Sequence, residues 1–142
     1  MYVLDTNVVS ELRKAGAGRA DANVVAWAST VATGALYISA VCVLELELGV
    51  LALGRRDPAQ AAILGAWLHS HVLPAFAGRV LPIDTAVALQ CAKLHIPNRR
   101  AERDALIAAT AVVHGMTVVT RNVVDFEGTG ATIINPWAPL TP

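Results

Sequence analysis

Only two cysteines, Cys42 and Cys91, occur in 142 residues. They are too few and too far apart for a disulfide framework, a zinc ribbon or a redox pair, and reduced thiols in a cytoplasm fit best. Charge is scarce as well: 15% of residues are charged against 55% hydrophobic, and the formal net charge is zero. A zero balance by itself argues for no particular partner. So apolar a composition leaves surface to cover after the core is filled, which points to a partner or a self-association face. There is no basic leader at the amino terminus, so no secretory signal is expected. Internal repeats and low-complexity segments are missing too. The most apolar span, Leu36 to Leu53, approaches membrane-helix length, but Glu45 and Glu47 fall in its middle. Each costs roughly 2.5 kcal/mol or more at a bilayer centre, so a buried helix is expected and no membrane. The length suits a single domain, residues 1–142, with one contiguous core.

What is present alternates between short β-branched runs and longer apolar-periodic ones. Tyr2, Val3 and Leu4 read as a buried strand that ends at Asp5, with Thr6 or Asn7 able to cap a helix over Val8 to Leu12. A helix over Asn23 to Val31 is opened by Asp21 and closed by Gly34. Leu36 to Ser39 reads as a second strand, and Ala40 to Leu53 as a helix apolar nearly all round, enclosed by the fold or by a partner. Asp57 and Pro58 start a helix that runs to about Val72. Arg79 to Ile83 is a third strand, and Asp84 caps a helix through about His95. Glu102 to His114 is a helix stopped by Gly115; Met116 to Thr120 and Ala131 to Ile134 are strands; the proline-rich tail is irregular. Strands alternating with helices predict an α/β fold, a mostly parallel central sheet covered by helices on both faces.

The carboxylates recur at matching places. Asp5 and Asp125 follow strands, Asp104 begins a helix with Ile107, Ala108 and Ala111 as its helical neighbours, and Glu45 can reach the same sheet edge from its own helix. In open α/β sheets that edge is where ligands bind. Periodicity does not choose between Glu45 and Glu47. A helix cap is the ordinary use of Asp5, and a dipole contact the ordinary use of Asp104. Four acids with no histidine or cysteine among them suit a hard divalent cation, Mg²⁺ or Mn²⁺. Such a site serves phosphodiester displacement, which makes nuclease the natural chemistry. If metal neutralises these four, seven acidic residues face eleven basic ones. The arginines bunch at Arg55 and Arg56, at Arg99, Arg100 and Arg103, and at Arg121, where a solvated face and phosphate contact are both open. His69 and His71, two apart on a helix, point away from each other and read as surface groups, and His95 and His114 as dipole contacts at helix ends.

The pieces LDTNVVSEL, SAVCVLELELGV, RDALIAATAVVHGMTVVTRNVVDF and INPW, in this order over nearly the whole chain, resemble a PIN-domain ribonuclease of the VapC toxin type. The resemblance implies an α/β/α sandwich and Mg²⁺- or Mn²⁺-dependent cleavage of structured RNA, tRNA or rRNA, with inhibition of translation. It also implies a small VapB-type antitoxin, a homodimer and a higher assembly with the antitoxin. Carried over by position, Asp5, Glu45 and Asp104 match acidic ligands, Glu45 being preferred to Glu47 on this ground. At the fourth position Asn122 stands where some relatives have Asp, and Asp125 is the acid expected to serve. Thr6, Asn7, Thr120 and Asn122 are expected around these ligands, with Arg103 and Arg121 toward the substrate. Two other readings are a phosphatase, which typically wants a second Asp two residues after the first, where Asn7 stands, and a PIN-like fold kept only for binding.

Overall fold

The computed structural model describes residues 1–140; Thr141 and Pro142, the end of the expected tail, lie outside the described residues. Five short strands, β1 (Tyr2–Leu4), β2 (Leu36–Ser39), β3 (Val80–Leu81), β4 (Thr117–Val119) and β5 (Ile133–Ile134), form one sheet in the order β3-β2-β1-β4-β5. Every neighbouring pair is parallel, with Tyr2 registered against both Leu36 and Thr117. The chain therefore builds outward from β1 in one direction, then returns and builds outward in the other. That reversal leaves a crevice between the carboxyl ends of β1 and β4, where adjacent connections leave on opposite faces.

Successive strand residues point to opposite faces, and the core divides accordingly. Leu4, Ile38 and Val119 pack with Val8, Val9, Trp27 and Cys42 on one side. Their chain neighbours Val3 and Val118 pack with Ile107, Ala108, Ala111 and Phe126 on the other. The first side is covered by α1 (Thr6–Arg13), α2 (Ala22–Ser29) and residues of α3 (Ala40–Gly54); the second by α7 (Glu102–His114) and α8 (Val123–Phe126). The helix α6 (Thr85–Leu94) packs on α7 through Val87, Cys91, Ala105 and Ala109. The expected three layers around a parallel sheet are present.

Several boundaries differ from those expected, each for a local reason. The helix α1 starts earlier because Asp5 itself is the cap, its Oδ1 accepting from Thr6 N at 2.8 Å. The helix α2 stops at Ser29, where the Thr30 hydroxyl donates to the Trp27 carbonyl at 2.6 Å; Gly34 lies instead in a separate 3₁₀ turn, Thr33–Ala35. The expected helix to Val72 is α4 (Pro58–Trp67) followed by a π turn, Leu68–Val72, and a one-turn helix α5 (Leu73–Ala75). Pro74 follows the π turn in a backbone that is helical through Val72 and Leu73, so its missing N–H interrupts the ladder where the turn widens. Strands β3, β4 and β5 are shorter than their β-branched runs.

The helix α3 is not enclosed within the chain. Val41, Cys42 and Leu46 are buried, but Leu44, Leu48 and Leu51 are 52%, 45% and 62% exposed. Among the described residues no helix is long and apolar enough to cross a membrane.

Candidate active site

Asp5 sits at the carboxyl end of β1 because its N–H continues the ladder, donating to the Val119 carbonyl at 2.9 Å. Its side chain is almost fully buried and faces the crevice wall made by β4. There the Thr120 hydroxyl donates to Asp5 Oδ2 at 2.7 Å and accepts from Asn122 N–H at 3.0 Å. Asn7 closes the group: its Nδ2 donates to Asp5 Oδ2 at 3.4 Å and to Thr120 Oγ1 at 3.5 Å, and its Oδ1 accepts from Arg121 N–H at 3.4 Å. One carboxylate is thus held rigidly by groups from both sides of the sheet reversal.

Glu45 reaches the group from α3. The Thr6 hydroxyl donates to Glu45 Oε1 at 2.7 Å, while Arg103 Nη1 lies 3.7 Å from Glu45 Oε2. Glu47, two residues on, turns outward to His69 at 2.6 Å. Asp104, in the first turn of α7, is half-buried, and Asp125, inside α8, is exposed. Asn122 is exposed and precedes α8, without a side-chain capping bond. Arg121 is exposed and stacks over the Trp137 ring at 5.2 Å.

These carboxylates feel one another. Burial pushes the Asp5 carboxyl above the ordinary range against the hydrogen bonds from Thr120 and Thr6, and Glu45 and Asp125 add to the rise. Asp104 is pushed up to about 6 by burial first and then by Asp5, Asp125 and Glu45. Cys42, beneath the group, is a neutral thiol pushed up to about 12 by burial, so it is no nucleophile. Beside Thr6 and Glu45 opens a cleft of about 250 Å³, lined also by Ser10, Arg13, Lys14 and Trp67.

The donor set fits a hard cation: it offers oxygen only, and its negative charge is offset only in part, by Arg103 beside Glu45. Among the described residues no three of these acids bring ligand atoms within 4.8 Å of one another; the one group that does is Cys91, His95 and Glu102. The acids therefore suit an ion held directly by one or two carboxylates with water completing the shell, the usual habit of Mg²⁺.

A pH dependence follows. Asp104 and Asp5 have folded-state values above their unfolded ones, so they favour the folded state while protonated, and this contribution is lost as pH rises through the folded value. In chelator, the thermal midpoint should fall as pH is raised from about 4.5 to about 7. Saturating Mn²⁺ should remove the fall, because a cation favours the ionised carboxylates. A flat midpoint in chelator would show that neither burial nor the neighbouring acids oppose ionisation of these carboxyls in the fold.

Fold and site together define a doubly wound parallel α/β protein with an oxygen-donor, carboxylate-lined centre at its sheet reversal. The family model described as PIN domain matches residues 2–127. The chain is 44% identical over 146 residues to VapC ribonuclease Y4jK of Sinorhizobium fredii, covering 98% of this chain and 99% of the relative. It is 37% identical over 142 residues to toxin FitB of Neisseria gonorrhoeae, covering 96% and 99%. The solved structure of FitAB bound to an IR36 DNA fragment superposes with a TM-score of 0.85 at 36% identity, covering 99% of each chain. The chain belongs to the PIN-domain family.

Sequence reasoning missed two groups. The stacking of Arg121 on Trp137 joins two loops and has no local signature. The cluster of Cys91, His95 and Glu102 did have one, a cysteine and a histidine four apart at the end of a helix, the spacing that puts both on one face.

Proposed function

We propose that this protein is a divalent-metal-dependent ribonuclease, the toxin of a VapBC-type pair, acting on structured RNA such as tRNA or rRNA in the cytoplasm. The observation that carries the reading is the geometry at the carboxyl edge of a parallel sheet, where Thr120 and Asn7 hold Asp5, Thr6 holds Glu45, and Asp104 and Asp125 lie near enough to feel their charge. Asp5, Glu45, Asp104 and Asp125 are the acids we assign to the metal, Mg²⁺ or Mn²⁺. A bound ion of this kind supplies Lewis acidity and lowers the pKa of water at the scissile phosphodiester. The chain's own residues do the rest. Thr120 and Asn7 fix the direction of Asp5, and Thr6 fixes that of Glu45. Arg103 and Arg121 carry the positive charge that draws the RNA backbone to an otherwise acidic centre.

The named relatives support the toxin assignment, and the exposed leucines of α3 with Ile63 of α4, 55% exposed, support a protein partner. We assign this apolar flank to self-association as a homodimer and to a small VapB-type antitoxin. Residues 1–142 are read as one PIN domain. An aspartyl phosphatase is disfavoured because the position two residues after Asp5 holds an amide, Asn7, already bonded to Asp5.

The test offers purified protein tRNA and rRNA with Mg²⁺ or Mn²⁺ and reads the products. Cleavage that chelator stops supports the nuclease; an acid-labile covalent phosphate adduct would reveal a phosphatase; metal binding and cleavage both absent would leave a binding module. The fourth position is separated in the same assay. Asp125→Ala should weaken Mn²⁺ affinity and cleavage together, since a carboxylate offsets the cation's charge, whereas Asn122→Ala should lower cleavage with a smaller change in affinity. Unchanged calorimetric Mn²⁺ affinity in folded Asp125→Ala would remove Asp125 from the metal.

A further inference from the structure

We propose that Cys91, His95 and Glu102 form a second metal site, separate from the acidic centre, that takes a borderline cation of the Zn²⁺ class. Cys91 and His95 lie one turn apart on the end of α6, and Glu102 opens α7, which packs against it. The Cys91 Sγ lies 3.8 Å from His95 Nε2 and 3.8 Å from Glu102 Oε1, and His95 Nε2 lies 3.3 Å from Glu102 Oε2. A tetrahedral zinc with bonds of about 2.3 Å to sulfur and about 2.0–2.1 Å to nitrogen and oxygen has donor-to-donor edges of roughly 3.3–3.6 Å. The two neighbours meet different oxygens of Glu102, and with one ligand atom taken from each side chain the three lie within 4.8 Å of one another, so a rotation of the exposed Glu102 carboxylate is what brings the donors to three corners of that tetrahedron. Sulfur and imidazole select Zn²⁺ or Co²⁺ over Mg²⁺, which keeps this site chemically distinct from the carboxylates. Access is from the Glu102 side, whose side chain is 64% exposed, while that of His95 is 15% exposed and Cys91 is buried.

The metal-free arrangement defines what loading must change. Arg100 N–H donates to His95 Nδ1 at 3.1 Å, so the ring proton sits on Nε2 and faces Glu102. On loading, Nε2 gives its proton up in exchange for the ion, Nδ1 takes one, and Cys91 releases its thiol proton to solvent. The Arg100 hydrogen bond is exchanged for the metal bonds, and the turn over residues 96–101 re-seats. An ion here fastens the end of α6 to the start of α7, two residues before Asp104.

Cobalt reports on thiolate ligation directly. Titrating Co²⁺ into the full-length protein should give a near-ultraviolet thiolate-to-cobalt charge-transfer band that saturates at one equivalent and is bleached by Zn²⁺. The band should be absent in Cys91→Ser, should need at least tenfold more Co²⁺ in Glu102→Gln, and should be unchanged in Asp104→Asn. With the acidic centre saturated by Mg²⁺, Zn²⁺ should raise the thermal midpoint of wild type by more than that of Cys91→Ser. No charge-transfer band in wild type, or a band that survives Cys91→Ser, overturns the proposal. Because Glu102→Gln changes an exposed side chain, it keeps the test open if Cys91→Ser does not fold. The outcome is independent of RNA cleavage, which reads the acidic centre.

Discussion

Asp104→Asn is expected to abolish RNA cleavage and, in chelator at about pH 7.5, to raise the thermal midpoint above that of wild type. The two effects have one cause. Asp104 is ionised at that pH against the opposition of burial and of Asp5, Asp125 and Glu45; removing its charge relieves the metal-free fold and weakens the hold on a cation. The loss of cleavage should exceed the roughly 10–100-fold that removal of an outer-shell partner of a metal ligand costs. Mn²⁺ should then stabilise the variant less than wild type, since stabilisation by a ligand follows its affinity. Wild-type cleavage by the variant at equal metal concentration would remove Asp104 from the site. A lower midpoint in chelator would mean instead that Asp104 supports the fold.

Phe126→Ala should produce the largest stability loss. Phe126 is fully buried in the cluster of Val3, Val41, Ile107 and Val118, so truncation loses both its transfer free energy and the packing of the space left behind. The expected cost is about 3–5 kcal/mol, which for a chain of this length lowers the midpoint by on the order of 10 °C. Phe126 also anchors α8, which carries Asp125, because its ring is the buried side chain of that helix. Mn²⁺ affinity should therefore fall with stability, and the denaturant slope should stay near its wild-type value while the midpoint moves. A loss below about 1 kcal/mol would show that the cavity collapses and that the sheet face is held elsewhere.

The amino-acid sequence by itself determined the alternation of strands and helices, the α3 and α7 segments nearly to the residue, and the arrival of Asp5 at a strand end and Asp104 at a helix start, because periodicity, caps and glycine stops act over a few residues; that Asp125 lies inside a short helix, α8, was not legible. Asp21, Asp57 and Asp84 cap their helices as their local sequences require. The choice of Glu45 over Glu47 came from family resemblance, since both have apolar helical neighbours. In three dimensions Glu45 meets Thr6 from α1 and Glu47 meets His69 from the π turn. The bonding of Asp5 to Thr120, 115 residues away, the exposure of one flank of α3 and the grouping of Cys91 with Glu102 were likewise decided only by tertiary structure. Each depends on which helix end or strand end comes to lie beside another, and that is fixed by the packing of the two sheet faces and by the reversal of strand order at β1.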